Sequence, residues 1–289
     1  MIVRLLSLNA GLLTILGRSM PSPFVKERRA CLPEEIHETQ ADIVLLQEVY
    51  GDSDRRQLAK SLSDLYPYGL YPRKRRHWGF ENGIMTLSRF PASGETFLFH
   101  DAPVDESLLD SKGFLHSTHV LAQGHNLHIL NTHTTAGGMF HHPESNRMDI
   151  VRSLQIRQML DEQLRLPSPV ILAGDLNAGP GVSETNFRQI LDAGFVSIHD
   201  LVNGGLAQPT WDPLNPLNSR GPHRHCPPQR IDHVFVRAQD LNSKIIEPIS
   251  SRICLQDPVV PVNGSQRVTI SDHYGIMVEL SFRLEDQSE

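Results

Sequence analysis

Short apolar runs that close on polar residues recur along this chain, and their lengths suit strands better than helices. Ile2 to Leu8 is the first, ending at Ser7-Leu8-Asn9. Asp42 introduces Ile43-Val44-Leu45-Leu46-Gln47-Glu48, which ends in an acid. Leu127 to Thr132 closes on His133. Val170 to Ala173 runs into Gly174-Asp175-Leu176-Asn177 before Gly179-Pro180-Gly181 turns the chain away. Ile231 to Val236 carries Asp232 at its start, and Val268 to Leu280 is interrupted early by Ser271-Asp272-His273. Apolar stretches of this length, bounded by Gly, Pro and polar residues, read as buried strands. Asn82 to Ser88, Glu95 to Phe99, Lys112-Gly113-Phe114 to about Leu121, and Lys244 to Ile249 are predicted strands as well.

Helical spacing marks the segments between them. Lys26 to Gln40 is polar with apolar points at Ala30 and Ile36, a helix disturbed by Pro33. Asp54 to Leu65 places Leu58, Leu62 and Leu65 on one side. Glu144 to Leu166 is the longest, with Met148, Val151, Leu154, Ile156, Met159, Leu160 and Leu164 marking its buried side. A further helix is predicted from about Ser183 to Ala193, and Gln208 to Pro228 is a loop rich in Pro, Asn and His. The tail after Phe282 is charged and expected to fray. With no composition break or repeat, residues 1–289 are expected to form a single domain. Helices alternating with strands predict a layered α/β architecture with mixed sheets.

Composition narrows the classes. A 39% hydrophobic, 21% charged chain has a globular profile. No run of apolar residues is long enough for a transmembrane helix. Lys and Arg total 27 against 33 Asp and Glu, and this net charge of -6 makes a general grip on nucleic acid less expected. Cys31, Cys226 and Cys254 give no disulfide scaffold and suit a reducing compartment. The N-terminal run, broken by Ser7, Asn9 and Gly11, reads as a mature strand and not a signal peptide. The expectation is a cytoplasmic monomer. His223-Arg224-His225-Cys226 lacks a matching second half and reads as a loop, not a metal site.

Asn9, Glu48, His133, Asp175, Asn177, Asp232, Asp272 and His273 all fall at or beside strand ends. Asp175 and Asn177, two apart on an extended chain, are expected to point the same way. Taken singly, each has a plain structural explanation: a turn residue, a surface acid, a hydrogen-bonded core histidine. Their joint placement is harder to dismiss, because strand ends can converge at one rim of a sheet. Oxygen ligands without a cysteine pair favour Mg²⁺ or another hard cation such as Mn²⁺. Such an ion would offset charge on a phosphate while a histidine–acid pair handles the proton. A Gly-rich phosphate loop, a Gly-x-Ser-x-Gly elbow and a Cys nucleophile motif are all missing, which counts against NTPase and acyl-transfer chemistry.

In order, Ser7-Leu8-Asn9, Leu46-Gln47-Glu48-Val49, Asn131-Thr132-His133, Gly174-Asp175-Leu176-Asn177, Arg230-Ile231-Asp232-His233 and Ser271-Asp272-His273 resemble the endonuclease/exonuclease/phosphatase superfamily. The resemblance implies a four-layer sandwich of two packed mixed β-sheets flanked by helices. It implies Glu48 as the main Mg²⁺ ligand with Asn9 beside it, and Asp272 near the metal. Asp175 and Asn177 would orient the attacking water and the phosphate, and His273, held by Asp232, would act as general base. His133 would contact the phosphate or assist the leaving group. The reaction implied is in-line attack of water on phosphorus without a covalent enzyme intermediate.

Two further blocks look like the neutral sphingomyelinase branch. These are Ser111-Lys112-Gly113-Phe114-Leu115 ahead of the His133 strand, and Thr210-Trp211-Asp212-Pro213 with Asn215 and Asn218. They imply a phosphodiesterase acting on a phospholipid headgroup, with Lys112 and Trp211 in substrate binding. As plain structure, Lys112 would be a strand-edge charge and Trp211 a loop anchor. The chain departs from that branch after His133, where Thr134-Thr135-Ala136-Gly137-Gly138 follows. Met139-Phe140-His141-His142 is its one candidate for peripheral membrane contact. A nuclease or phosphatase of the same superfamily is the alternative, and Arg73-Lys74-Arg75-Arg76 near Trp78 and Phe80 would suit a nucleic-acid backbone.

Overall fold

Two six-stranded sheets face each other, and each is built around one parallel pair of strands. The computed structural model describes residues 1–15, 18–72, 80–100, 110–136, 142, 145–205, 208–219, 221 and 223–283. In chain order the first elements are β1 (Ile2–Asn9), β2 (Thr14–Ile15), β3 (Arg18–Ser19), α1 (Val25–Thr39), β4 (Ile43–Gln47), α2 (Asp52–Ser61), β5 (Tyr68–Leu70) and β6 (Met85–Ser88). The middle of the chain supplies β7 (Ala92–Leu98), β8 (Gly113–Val120), β9 (Asn126–His133), α3 (Asn146–Gln163), β10 (Val170–Asp175), α4 (Glu184–Asp192), β11 (Phe195–Ser197), α5 (Ile198–Asn203) and β12 (Asp232–Arg237). The last elements are α6 (Ala238–Asn242), β13 (Ile246–Cys254), β14 (Val260–Val262), β15 (Gln266–Val268) and β16 (Gly275–Phe282).

One sheet has the order β13-β16-β1-β4-β6-β5 and the other β11-β12-β10-β9-β8-β7. The second sheet comes from one continuous stretch, residues 92–237, nested between the two segments that make the first. Alternation along the strands sorts side chains into layers. Val3, Leu5, Ile43, Leu45, Ile129, Ile171, Val234 and Val278 form the core between the sheets. Leu6, Leu8, Val44 and Leu46 face outward and pack with Leu32 and Ile36 of α1 and Leu58 of α2. On the other side Leu130 and Leu172 pack with Ile156 and Met159 of α3 and Ile190 of α4. This is the expected sandwich of two mixed sheets between helical layers.

Some local expectations are corrected. Pro33 lies inside α1 without ending it, because Leu32 and Ile36 are both fully seated against the first sheet and hold the helix together. Leu154 and Leu164 are 49% and 75% exposed, not buried. In their place α3 turns Arg152, Gln155 and Gln163 inward, where each finds hydrogen bonds. A count of apolar positions misses a helix face chosen for its polar contacts. The pattern also understated β13, which pairs along its length with β16.

Candidate active site

The site begins where the inter-sheet core runs out of apolar residues. On β1, Val3 and Leu5 are followed on the same face by Ser7 and Asn9. On β4 Ile43 and Leu45 lead to Gln47, and on β9 Leu127 and Ile129 lead to Asn131 and His133. On β10 Ile171 and Ala173 lead to Asp175, and antiparallel β12 starts at Asp232, directly opposite Asp175. His133 is the cross-strand partner of Asp175 on the other side. Gln47 closes the floor by donating from Nε2 to Asn131 Oδ1 at 2.7 Å, which joins the two sheets.

Above that floor, Asn9 Nδ2 donates to Glu48 Oε1 at 3.0 Å and to Asp175 Oδ2 at 2.9 Å. Its Oδ1 accepts from the Gly11 amide at 3.0 Å. Glu48 lies one residue beyond β4 with φ 56°, a left-handed conformation uncommon for a residue with a side chain. His133 Nε2 is 3.5 Å from Asp175 Oδ2 and 3.7 Å from Glu48 Oε1. His273 Nδ1 is 2.9 Å from Asp232 Oδ2, and its Nε2 is 3.9 Å from Asp175 Oδ2. The expected histidine–acid pair is therefore present, with a second acid across from it.

Asn177 reaches the site by a different route from the one expected. The strand ends at Asp175, and Asn177 sits in a left-handed turn with φ 47°. Its backbone amide donates to Asp175 Oδ1 at 2.9 Å, and its side-chain amide donates to the Thr134 carbonyl at 3.1 Å. The two-residue repeat of an extended chain stops applying once the strand ends. Lys112, just before β8, places Nζ 3.0 and 2.9 Å from the two ring nitrogens of His133. Trp211 is bridged through its backbone to His273 and Gln229, which sets it at the edge of the site.

The supports were less visible in the sequence. Arg28, fully buried on α1, donates to the carbonyls of Ala10 (3.0 Å), Gly11 (2.6 Å) and Ile270 (3.3 Å). It thereby ties the turn after Asn9 to the one before Asp272. Ser22 donates to Asp272 Oδ2. Gly11, at φ +57°, lies so close to Asp272 that a Cβ would fall 2.3 Å from Oδ1, so this turn requires glycine. Thr210 Oγ1 accepts from the Ile231 and Asp232 amides at 3.1 Å, Asn215 donates to Ser271 O at 3.0 Å and Asn218 to Asp272 O at 2.8 Å. The Thr210–Asn218 loop is a clamp across the two segments that carry Asp232 and His273. Its Thr and Asn residues stand out in the sequence as a motif, but their role as hydrogen-bonding anchors emerges only in the fold.

Burial and mutual repulsion shape the charges. Burial, then Asp272, pushes the Glu48 carboxyl up to about 7. Burial and Asp232 push Asp175 up to about 6. Burial alone would lower His273, but Asp232 and then Asp175 raise it well above the ordinary imidazole range. His133 is driven the other way, well below the ordinary imidazole range, by burial, then Lys112 and His273. Burial acts to raise Asp272, yet His273 and Arg28 hold it below the usual carboxylate range.

This donor set fits a hard divalent cation. The half-buried Glu48 and the buried Asp175 both resist ionising for want of compensating charge, and the buried Asp232 Oδ1 has no hydrogen-bond partner among the described residues. Ligand atoms of Asp175, Asp232 and His273 lie within 4.8 Å of one another, with the Glu48 carboxylate joined to Asp175 through Asn9. Oxygen donors predominate, which suits Mg²⁺ or Mn²⁺ over structural zinc.

Fold and site together define the class: a two-sheet α/β sandwich that gathers acids, amides and histidines at one rim. The chain belongs to the Endonuclease/Exonuclease/phosphatase family, whose match spans residues 6–273. It is 26% identical to a protein of Drosophila melanogaster described as a putative neutral sphingomyelinase, over 99% of this chain and 63% of that one. It is 23% identical to sphingomyelinase C of Listeria ivanovii, over 68% of this chain and 61% of that one. The chain therefore spans about three fifths of the length of these relatives. Among solved structures it is similar to Staphylococcus aureus beta toxin with bound magnesium ions, with a TM-score of 0.74, 19% identity, and coverage of 96% of this chain and 99% of that one.

Proposed function

We propose that this chain is a Mg²⁺-dependent phosphodiesterase of the phospholipase C type, acting on a phospholipid of the sphingomyelin kind. The observation that carries the reading is the Asp232–His273 pair facing Asp175, within a site that Asn9 links to Glu48. Relatives named sphingomyelinases support the choice of lipid.

Glu48, with Asn9 and Asp272 near it, would hold the ion, which when bound supplies positive charge to the phosphate. Asp232 fixes the His273 ring through Nδ1. With the carboxylate charge that raises His273 offset by a bound cation, Nε2 is open to take a proton from water as it attacks phosphorus. Asp232 then stabilises the imidazolium, and Asp175, itself held by Asn9 and the Asn177 amide, orients the water. His133, beside Asp175 and Glu48, is placed to contact a phosphate oxygen or to assist the leaving group as the bond from phosphorus to the lipid oxygen breaks. Lys112 adds a cation next to it, and the half-buried Trp211, whose backbone bridges to that of His273, would contribute to binding the headgroup.

No helix among the described residues is long and apolar enough to cross a membrane. The basic segment Arg73–Arg76 with Trp78, and Met139 to His141, lie outside the described residues. The test is hydrolysis in Mg²⁺ of sphingomyelin, lysophospholipids, phosphoinositides and DNA. Release of phosphocholine from sphingomyelin is expected. Cleavage of DNA with none of the lipids would overturn the lipid reading in favour of a nuclease.

A further inference from the structure

A buried polar chain leads away from His133 to a tyrosine that the mechanism above does not use. Lys112 Nζ is 3.4 Å from Asp110 Oδ2, and the Tyr50 hydroxyl donates to that same oxygen at 2.7 Å. All three side chains are buried. A buried ammonium needs a compensating charge, and Asp110 supplies it. The arrangement joins the two sheets: Tyr50 follows β4 of the first by three residues, and Asp110 precedes β8 of the second by three.

The tyrosine ring has a built slot. Val49 donates its amide to the Gly83 carbonyl at 2.8 Å, and a Cβ on Gly83 would fall 2.8 Å from the Tyr50 ring. Phe80 tilts against the same ring at 5.8 Å, and Phe80 forms a β-bridge with Asp110. Ring packing alone would be served by phenylalanine, so the hydroxyl has a separate task.

The position of the ammonium says what that task is. An Nζ nearly equidistant from both nitrogens of His133 cannot lie along the in-plane hydrogen-bonding direction of either one, since those directions diverge. It stands over the ring face of His133, where an N–H could point to a phosphate oxygen bound beside that ring. Such a perch needs an external hold, because the imidazole gives it no directed bond.

We infer that Tyr50 and Asp110 are positioning residues: the Tyr50 hydroxyl fixes Asp110, and Asp110 holds Lys112 over His133 for contact with the substrate's phosphoryl group. The inference takes its substrate contact from the phosphodiesterase reading, but the positioning itself is a property of the free protein. The structural arm of the test needs no substrate. Lys26, Lys60, Lys74, Lys112 and Lys244 are the lysines of the chain, so its ammonium ¹H–¹⁵N spectrum is sparse. Native protein is expected to give a slowly exchanging Lys112 signal, absent from Lys112→Met, that broadens away in Tyr50→Phe and in Asp110→Asn. An unchanged Lys112 signal in Tyr50→Phe, with the fold intact by melting, overturns the inference.

The catalytic arm is a double-mutant cycle. Tyr50→Phe is expected to lower kcat about tenfold in the native background and to have no further effect in Lys112→Met. Equal losses in both backgrounds would mark Tyr50 as merely structural. A native chain that turns over no phosphodiester would defeat the functional reading, and the ammonium spectrum would then decide the inference by itself.

Discussion

Glu48 occupies a backbone conformation that costs free energy, and the site returns a reason for it. The left-handed turn at φ 56° brings the carboxylate back toward Asn9 instead of letting it follow the strand outward. Removing its charge while keeping its shape, as in Glu48→Gln, is expected to raise the Mg²⁺ concentration for half-maximal activity by roughly tenfold or more. An unchanged metal titration would move the ion to another acid. His273→Ala is expected to reduce turnover roughly 10²- to 10⁴-fold with little change in melting temperature. Near-native turnover in that variant would remove His273 as the base. Both residues are visible in the sequence because they sit where an apolar run stops, so that polarity alone flags them. Arg28 gives no such flag: on a polar helix it looks like any surface arginine, and only the fold buries it against three carbonyls.

At the scale of elements, strands are more legible in this sequence than the buried faces of its helices. The inter-sheet faces alternate so regularly that Val3-Leu5-Ser7-Asn9 or Ile171-Ala173-Asp175 announce both the strand and its functional end. The clamp formed by Thr210, Asn215 and Asn218 was not legible as a clamp, since its partners lie more than twenty residues away in each case. In α3, inward-facing Arg152, Gln155 and Gln163 hid the true buried face. Helix α1 carries a proline that its packing tolerates but its backbone does not favour. Pro33→Ala restores an amide donor in mid-helix and is expected to raise unfolding free energy by about 1–3 kcal/mol. Urea denaturation measures this directly, and a lower midpoint would show that the proline is shaping α1 in a way the packing needs.

For the whole molecule, the docking of the two sheets carries a pH dependence of its own. His119 lies fully buried between hydroxyls, 2.9 Å from Ser88 Oγ on β6 and 2.9 Å from Ser117 Oγ on β8. Burial first, then the nearby His116 and His128, pushes it down to about 3. In the unfolded chain the same group takes up a proton near 6.5, so the unfolded state binds more protons below that pH. The stability from neutral His119 is therefore fully present above about pH 6.5 and is lost progressively as pH falls toward 3. His119→Gln is expected to flatten the fall in unfolding free energy across that window, as measured by denaturation at a series of pH values. An equal slope in the variant would assign the acid sensitivity elsewhere. The nested path of the chain has one more outcome. Asn9 and Glu48 come from the first segment, His133, Asp175 and Asp232 from the inserted stretch, and His273 from the returning segment, just before β16. A ribosome making this protein thus emits His273 last of the site residues, so a chain interrupted before residue 273 lacks the partner of Asp232.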